Sequence, residues 1–233
     1  MHRLFVALRP PKEMRTTLLA LMGGIPGARW QDDDQLHLTL SFIGEVDRPE
    51  ADDIAGALAA VDSPRPTIAL KGAGSFDHKG HIHSIWAGIA PDAGLKQLHD
   101  RVNRALLVAG ARPEQRAFKP HITLARLGRE AGPVAPFLAG ISGLASPPVT
   151  LDAFLLFESR LGHEGPSYEA VGRYPLSCLS RPFYRPAGQG MIPGFRRVTT
   201  SNSGSKRKGA GHCWPTPIAC REARLTDPNS DRR

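Results

Sequence analysis

Cysteine is almost absent from this chain of 233 residues, and its three copies, Cys178, Cys213 and Cys220, all follow residue 177. Residues 1–177 therefore need no disulfide framework and suit a reducing compartment. A long hydrophobic run is also missing: the apolar stretch at residues 4–8 is far shorter than a signal sequence or the roughly 20 residues of a membrane-spanning helix. We expect a soluble, cytoplasmic protein with no membrane segment.

Several catalytic motifs are absent as well. The sequence contains no glycine-rich phosphate loop, no GxGxxG and no GxSxG. These motifs position nucleotide phosphates or an activated serine, so interpretations as a nucleotide-cofactor enzyme or a serine hydrolase lack support. We expect no cofactor.

A net charge is missing from most of the chain, although the formal total is +8. Residues 1–177 carry 19 Lys/Arg and 19 Asp/Glu, whereas residues 178–233 carry 11 Lys/Arg and 3 Asp/Glu. The C-terminal stretch is rich in Pro, Gly, Ser and Arg and has no sustained periodicity, which is typical of disordered sequence. We therefore predict one folded domain over residues 1–177 and a disordered basic tail over residues 178–233.

The folded part alternates between strand-like and helix-like patterns. Short β-prone apolar runs mark strands, and helices are marked by an N-terminal Pro or acid and a C-terminal Gly. Strands are predicted near residues 3–10, 36–43, 66–72, 83–90, 118–127, 147–158 and 167–172, and helices near 11–24, 49–61 and 92–110. Residues 74–80 are predicted to form a loop. This order predicts an α+β fold.

One short motif occurs twice. Residues 37–45 read HLTLSFIGE and residues 121–129 read HITLARLGR, so His, Thr, Leu and Gly recur at identical offsets. Within a strand, alternate residues share a face, so His37 and Thr39 point together, as do His121 and Thr123. Two copies on strand-like runs indicate two similar lobes that contribute to one active site.

Two imidazoles and two hydroxyls suit displacement at phosphorus. An imidazole with an ordinary pKa of ~6.5 can act as base while its partner, protonated, acts as acid. Each such group typically contributes ~10²–10⁴-fold to the rate. Threonine hydroxyls can donate hydrogen bonds to the phosphate oxygens, and no metal is required.

These residues resemble the two-histidine phosphoesterases, and in particular the RNA 2′,3′-cyclic phosphodiesterases, historically called 2′-5′ RNA ligases. The resemblance rests on RLFVAL at residues 3–8, the two HxTL segments and FESRLGHEGPSYEAVGRYPL at residues 157–176. It covers roughly residues 2–177. It implies two pseudo-symmetric lobes whose antiparallel sheets face a central cleft, with the helices outside. We take the protein to be a monomer.

The resemblance also implies a reaction and residue roles. A 2′,3′-cyclic phosphate on an RNA end would be hydrolysed to a 2′-phosphate, with His37 as general acid and His121 as general base. Thr39 and Thr123 would hold the phosphate oxygens. Arg126 would also hold phosphate, although strict strand alternation places it opposite His121 unless a bulge intervenes. Phe42 would stack on a base, although its position opposite the histidine face favours the core.

Alternative interpretations stay open. The cleft could bind RNA phosphates without cutting, or act on a small cyclic nucleotide. His78, His81 and His83 have spacing that could hold a metal, although a solvated turn fits them better. Asp32, Asp33 and Asp34 are interpreted as a solvated loop, and Trp86 as core packing that lies beside the cleft.

Overall fold

The computed structural model describes residues 1–113, 117–162 and 165–177. Ten strands and four helices lie in these ranges, with the helices interspersed among the strands. In order they are β1 (His2–Leu8), α1 (Lys12–Leu21), β2 (Ala28–Trp30), β3 (Leu38–Val46), α2 (Arg48–Ala59), β4 (Thr67–Ile68), β5 (Leu70–His78), β6 (His81–Ile89), α3 (Ala93–Val108), β7 (His121–Leu127), α4 (Ala135–Gly140), β8 (Val149–Thr150), β9 (Ala153–Gly162) and β10 (Gly165–Pro175).

Eight of these strands form one antiparallel sheet. Its order is β10-β9-β1-β3-β7-β6-β5, and β2 pairs with β7 beside this path. Strands β10, β9, β1 and β3 make one half, and β7, β6, β5 and β2 make the other. A single residue pair, Leu38 with Ile122, joins the halves. The predicted α+β class is confirmed, and the two expected lobes are two halves of a continuous sheet.

The sheet separates a large core from a smaller aromatic cluster. On β1, Leu4, Val6 and Leu8 belong to the large core, which also holds the buried residues of α1, α2 and α3. Phe5 belongs to the smaller cluster together with Ala7 and Phe157. Since alternate strand residues point to opposite faces, these helices cover one face of the sheet and leave the other for a site.

Side-chain caps mark the starts of α2 and α3. Asp47 accepts a hydrogen bond from the backbone N–H of Glu50, and the Glu50 side chain accepts one from the backbone N–H of Asp47. This reciprocal capping box fixes the start of α2 at Arg48. Asp92 caps α3 through the backbone N–H of Leu95. α1 has no such side-chain cap and begins after Pro11. The three helices predicted from the sequence are present as α1, α2 and α3.

Three local expectations were wrong or incomplete. Residues 74–78 continue β5, so the turn before β6 is reduced to Lys79 and Gly80, both with positive φ. The short elements β2 and α4 were not predicted.

Two other expectations concern membranes and the tail. None of the helices within the described ranges is long and apolar enough to cross a membrane. The predicted disordered tail over residues 178–233, with its three cysteines, lies outside the described residues.

Candidate active site

The two HxTL segments meet where the halves of the sheet join. Leu38 of β3 pairs with Ile122 of β7, and each of these residues directly follows the histidine of its motif. His37 and His121 therefore flank the junction. Both imidazoles and both threonines are partly buried, whereas the aliphatic residues between them are buried. The expected alternation of cleft-facing and core-facing residues is thus present in both motifs.

The two imidazoles are held in the same way. His37 Nδ1 lies 2.6 Å from the backbone carbonyl oxygen of Gln35, and His121 Nδ1 lies 2.7 Å from that of Lys119. A carbonyl oxygen only accepts, so Nδ1 of each ring carries a hydrogen and donates it. The proton that each histidine can gain or lose is therefore the one on Nε2. In both motifs the carbonyl that holds the ring belongs to the residue two positions before the histidine. The two motifs therefore share this geometry as well as their sequence.

A β-bulge occurs at the same position in both motifs. In the β1–β3 pairing, Val6 faces Ser41 and Ala7 faces Thr39, so Leu40 is the extra residue. In the β6–β7 pairing, Ile85 faces Ala125 and Trp86 faces Thr123, so Leu124 is the extra residue. Each bulge leaves two consecutive residues buried and returns the next one to the histidine face.

The bulges decide the positions of Phe42 and Arg126. Phe42 is 45% exposed, and its ring lies 5.7 Å from that of Phe5, which itself lies 4.9 Å from the His37 ring. Arg126 is exposed, and its charge acts on both His37 and His121. The core position favoured for Phe42 was wrong. Arg126 reaches the histidine face because of the bulge that strict alternation does not anticipate.

Burial governs the pKa values of the two histidines. The pKa of His37 is lowered from 6.5 to about 4, chiefly by desolvation and in addition by the positive charges of Arg126 and of a protonated His121. The pKa of His121 is also lowered, first by desolvation and then by Arg126 and Lys119. The hydrogen bonds to Gln35 and Lys119 oppose these shifts. Both imidazoles are therefore neutral at pH 7 in the free protein.

Aromatic rings surround both histidines, and most of them were missed by the sequence analysis. Around His37 lie Phe5, Phe157 at 6.2 Å and Tyr168 at 5.1 Å, the last edge-on. Phe157 lies on β9, opposite Phe5 of β1, and Tyr168 lies on β10. Phe157 and Tyr168 both belong to the FESRLGHEGPSYEA segment. Both lie in runs that the sequence predicted to be strands, which was the available signal.

The His121 side has its own aromatic pair. Phe76 lies 4.9 Å from the His121 ring and Trp86 lies 6.1 Å from it. Trp86 was interpreted from the sequence as a core-packing residue beside the cleft, and in the structure its ring borders His121 directly. Lys119 Nζ stands 4.5 Å from the centre of the Trp86 ring. Gly74 of β5 is the cross-strand partner of Trp86, and its lack of a side chain leaves room for the indole. These rings form flat surfaces beside each catalytic candidate.

The alternative metal ligands do not assemble. His78 and His81 are cross-strand partners at the tip of the β5–β6 hairpin. In the part of the chain that the structure describes, no group of three or more His, Cys, Asp or Glu side chains is arranged to hold a metal ion. Asp33 is bound by Arg15 through Nε at 2.8 Å and Nη2 at 3.0 Å. The acidic loop is therefore tied to α1, which fixes the chain just before His37.

Comparison with known proteins identifies the family. The family model described as "2′-5′ RNA ligase superfamily" matches residues 12–162. An RNA 2′,3′-cyclic phosphodiesterase of Aeropyrum pernix is 33% identical over 64% of this chain and 85% of its own length. One from Thermus thermophilus is 31% identical over 75% of this chain and 90% of its own.

Solved structures agree. The crystal structure of TT0787 of Thermus thermophilus has a TM-score of 0.61 and 26% identity, covering 74% of this chain and 97% of that one. The crystal structure of E. coli LigT complexed with 3′-AMP has a TM-score of 0.61 and 26% identity, covering 76% of this chain and 98% of that one. Together with the doubled HxTL geometry, these matches show that the chain belongs to the 2′-5′ RNA ligase superfamily.

Proposed function

We propose that this protein hydrolyses the 2′,3′-cyclic phosphate at an RNA end to a 2′-phosphate. The observation that carries the proposal is the pair of imidazoles at the sheet junction, each with Nδ1 bound to a carbonyl and Nε2 left to exchange a proton. Curated relatives carry the name of this activity. A paired acid and base is what in-line displacement at phosphorus needs.

In the proposed reaction, His121 Nε2 takes a proton from water as the water oxygen bonds to phosphorus. The bond from phosphorus to the 3′ oxygen breaks, and His37 Nε2–H supplies the proton that this oxygen needs. The products are a 2′-phosphate and a free 3′ hydroxyl. His37 ends neutral and His121 ends protonated, so proton exchange with solvent restores the starting state.

The pKa values set a condition on these roles. A general acid must be protonated, yet the pKa of His37 is about 4 in the free protein. A bound phosphodiester carries a negative charge, which favours the imidazolium form and raises the pKa of both histidines. Substrate binding therefore prepares the acid. Considered alone, the large fall in the pKa of His37 in the free protein favours the reverse assignment, with His121 as acid.

Four further residues complete the proposed site. Thr39 and Thr123 lie two residues after the histidines on the same face, where their hydroxyls can donate to phosphate oxygens. Arg126 supplies a guanidinium whose planar donors match a phosphate. Phe42, exposed beside Phe5, offers a surface for a base.

The same site accommodates two related activities. Joining 2′-5′ RNA ends is the reverse of related chemistry, and we infer that it is a side activity because water is the abundant nucleophile. A small cyclic nucleotide presents the same reacting group as an RNA end. We further infer a metal-independent, monomeric and cytoplasmic enzyme without a cofactor.

Substitution of each histidine tests the proposal. His37→Ala and His121→Ala should each lower kcat on a cyclic-phosphate substrate by ~10²–10⁴-fold, since each removes one proton-transfer group. His81→Ala is the matched control because His81 is exposed at a hairpin tip. Full activity in both single variants, with native circular dichroism, would refute the two-histidine mechanism. A protein that binds such ends with no turnover in the wild type would instead be an RNA-binding module.

A further inference from the structure

Arginines gather on the histidine face of the sheet beside the site. Arg29 on β2 lies directly opposite Arg126 on β7 in the antiparallel register. The neighbours of Arg29 on β2, Ala28 and Trp30, pack against the large core, so Arg29 points to the opposite, histidine-bearing face. Arg3 of β1 shares this face with Phe5. The cleft therefore has positive charge beyond Arg126.

The Arg29–Arg126 pairing has a cost. Like charges directly opposite one another on adjacent strands destabilise a sheet. Some other arginines within the described ranges are ion-paired, as Arg15 is with Asp33 and Arg173 with Asp152. Within the described ranges, Arg29 and Arg126 have no salt bridge to a carboxylate. This exposed pair has the charge of an anion site.

Arg29 extends the positive charge of Arg126 across the sheet. β2 pairs with the edge of β7 that lies opposite β6, the same edge that β3 uses, so the backbone of Arg29 stands one strand spacing, roughly 4.8 Å, from that of Arg126 on the side of His37. A Cβ built on Gly165 would lie 3.5 Å from Nη2 of Arg29, which places the guanidinium beside the start of β10. The phenol of Tyr168 stands within the field of Arg126, Arg3 and Arg29.

Among the described residues, carboxylates also face this region. Asp32, whose field reaches Tyr168, accepts a hydrogen bond from the backbone N–H of Gln35 through Oδ1 at 2.8 Å. Glu45 lies opposite Arg3 in the β1–β3 register. Arg3 therefore has an acidic cross-strand neighbour, whereas the cross-strand neighbour of Arg29 is basic. The charge imbalance centres on Arg29.

We propose that Arg29, next to Arg126, binds the phosphodiester 5′ to the reacting nucleotide, so that the enzyme prefers an oligonucleotide end to a mononucleotide. This inference rests on the proposed function and names its substrate class. Residues 1–177 have no net charge, so within this part of the chain the preference depends on a local phosphate contact and not on a general positive field.

Paired substrates test the subsite. The ratio of kcat/KM for a diadenosine with a terminal 2′,3′-cyclic phosphate to kcat/KM for adenosine 2′,3′-cyclic phosphate is measured in each protein. Arg29→Met, which removes the charge and keeps an unbranched chain, should lower this ratio about fivefold to tenfold, the loss of one charge-assisted contact. Arg29→Lys should retain part of the preference. Arg104→Met, at an exposed position of α3, should leave the ratio unchanged.

A ratio unaffected by Arg29→Met would overturn the subsite. If both kcat/KM values fall equally while the ratio stays unchanged, Arg29 acts instead at the shared cyclic phosphate. A binding measurement separates this from the chemistry. Anisotropy of a labelled triadenosine ending in a 2′-phosphate gives Kd against salt, and Arg29→Met should reduce the slope of log Kd by ~0.7. If the wild type cleaves neither substrate, the proposed function fails. The slope then decides the subsite: a reduced slope supports it and an unchanged slope overturns it.

Discussion

His37 and His121 occupy equivalent backbone positions but different surroundings. His37 is packed among Phe5, Phe157 and Tyr168, whereas His121 lies beside Phe76 and Trp86 near the exposed Lys119. The tighter aromatic enclosure explains why the pKa of His37 falls as far as about 4. At the scale of the residue, the repeated motif provides two imidazoles, and their different neighbours give them different degrees of desolvation.

The low pKa of His37 has a consequence for stability. Unfolding returns the imidazole to a pKa near 6.5, so between pH 6.5 and about 4 the unfolded state binds more protons than the folded state. The free energy of unfolding should therefore decrease as the pH falls through this window, by on the order of 3 kcal/mol from this group. Above pH 6.5 this imidazole is mostly neutral in both the folded and the unfolded state, so it causes no further change in the free energy of unfolding with pH.

Comparison with His37→Gln isolates that effect. Glutamine has no titrating group, so urea unfolding of the variant should depend less on pH between 6.5 and 4 than that of the wild type. The difference between the two proteins should grow steadily as the pH is lowered. Parallel curves would show that His37 has an ordinary pKa and is not desolvated.

At the scale of the element, the strands were predictable and their irregularities were not. Short β-prone runs near residues 3–10, 36–43 and 118–127 predicted β1, β3 and β7, and the matching HxTL segments predicted that two histidines share a site. The bulges at Leu40 and Leu124 leave no mark in the sequence, because each depends on the register of a partner strand. They are the reason that Phe42 and Arg126 reach the histidine face.

Short elements escaped prediction for a related reason. β2 has three residues and is a strand because β7 is available to pair with it. Residues 74–78 contain Gly and Asp, which favour a loop, yet β6 recruits them into a hairpin. In each case tertiary pairing overrides the local preference.

The contact between β5 and β6 supports the His121 side of the site. A Cβ added at Gly74 would lie 2.4 Å from the Trp86 ring, so Gly74→Ala must displace the indole. We expect a loss of about 1–3 kcal/mol in unfolding free energy, together with a change in tryptophan fluorescence and lower activity.

Gly56→Ala is the matched control for this substitution. Gly56 lies in α2, and an added Cβ there meets no atom within 4 Å. Replacement of a helical glycine by alanine should stabilise the protein by about 0.5–1 kcal/mol and leave fluorescence unchanged. Equal behaviour of the two variants in urea unfolding would show that the indole does not depend on the space at Gly74.

At the scale of the whole molecule, the proposed site lies entirely in residues 1–177. The last backbone contacts of the described fold are those of Ser177 with Ser63 and Arg65. Truncation after residue 177 should therefore preserve the thermal midpoint and keep kcat on a mononucleotide within about twofold.

A second, shorter truncation tests where the folded domain ends. Ending the chain after residue 172 removes Tyr174, which stacks on Phe154 at 4.9 Å, and the buried Leu176. Loss of these two side chains should destabilise the fold by about 4 kcal/mol or more. If truncation after residue 177 abolishes turnover while the fold persists, the domain proposed here is incomplete.

The most direct test of the central claim is hydrolysis of a nucleoside 2′,3′-cyclic phosphate in excess EDTA, with the phosphate position of the product determined by ³¹P NMR. A metal-independent mechanism in which the 3′ oxygen leaves predicts turnover that EDTA does not reduce, and a product that is a 2′-phosphate alone. Turnover abolished by EDTA and restored by a divalent metal would contradict the two-histidine mechanism. A 3′-phosphate product would contradict the proposed leaving group.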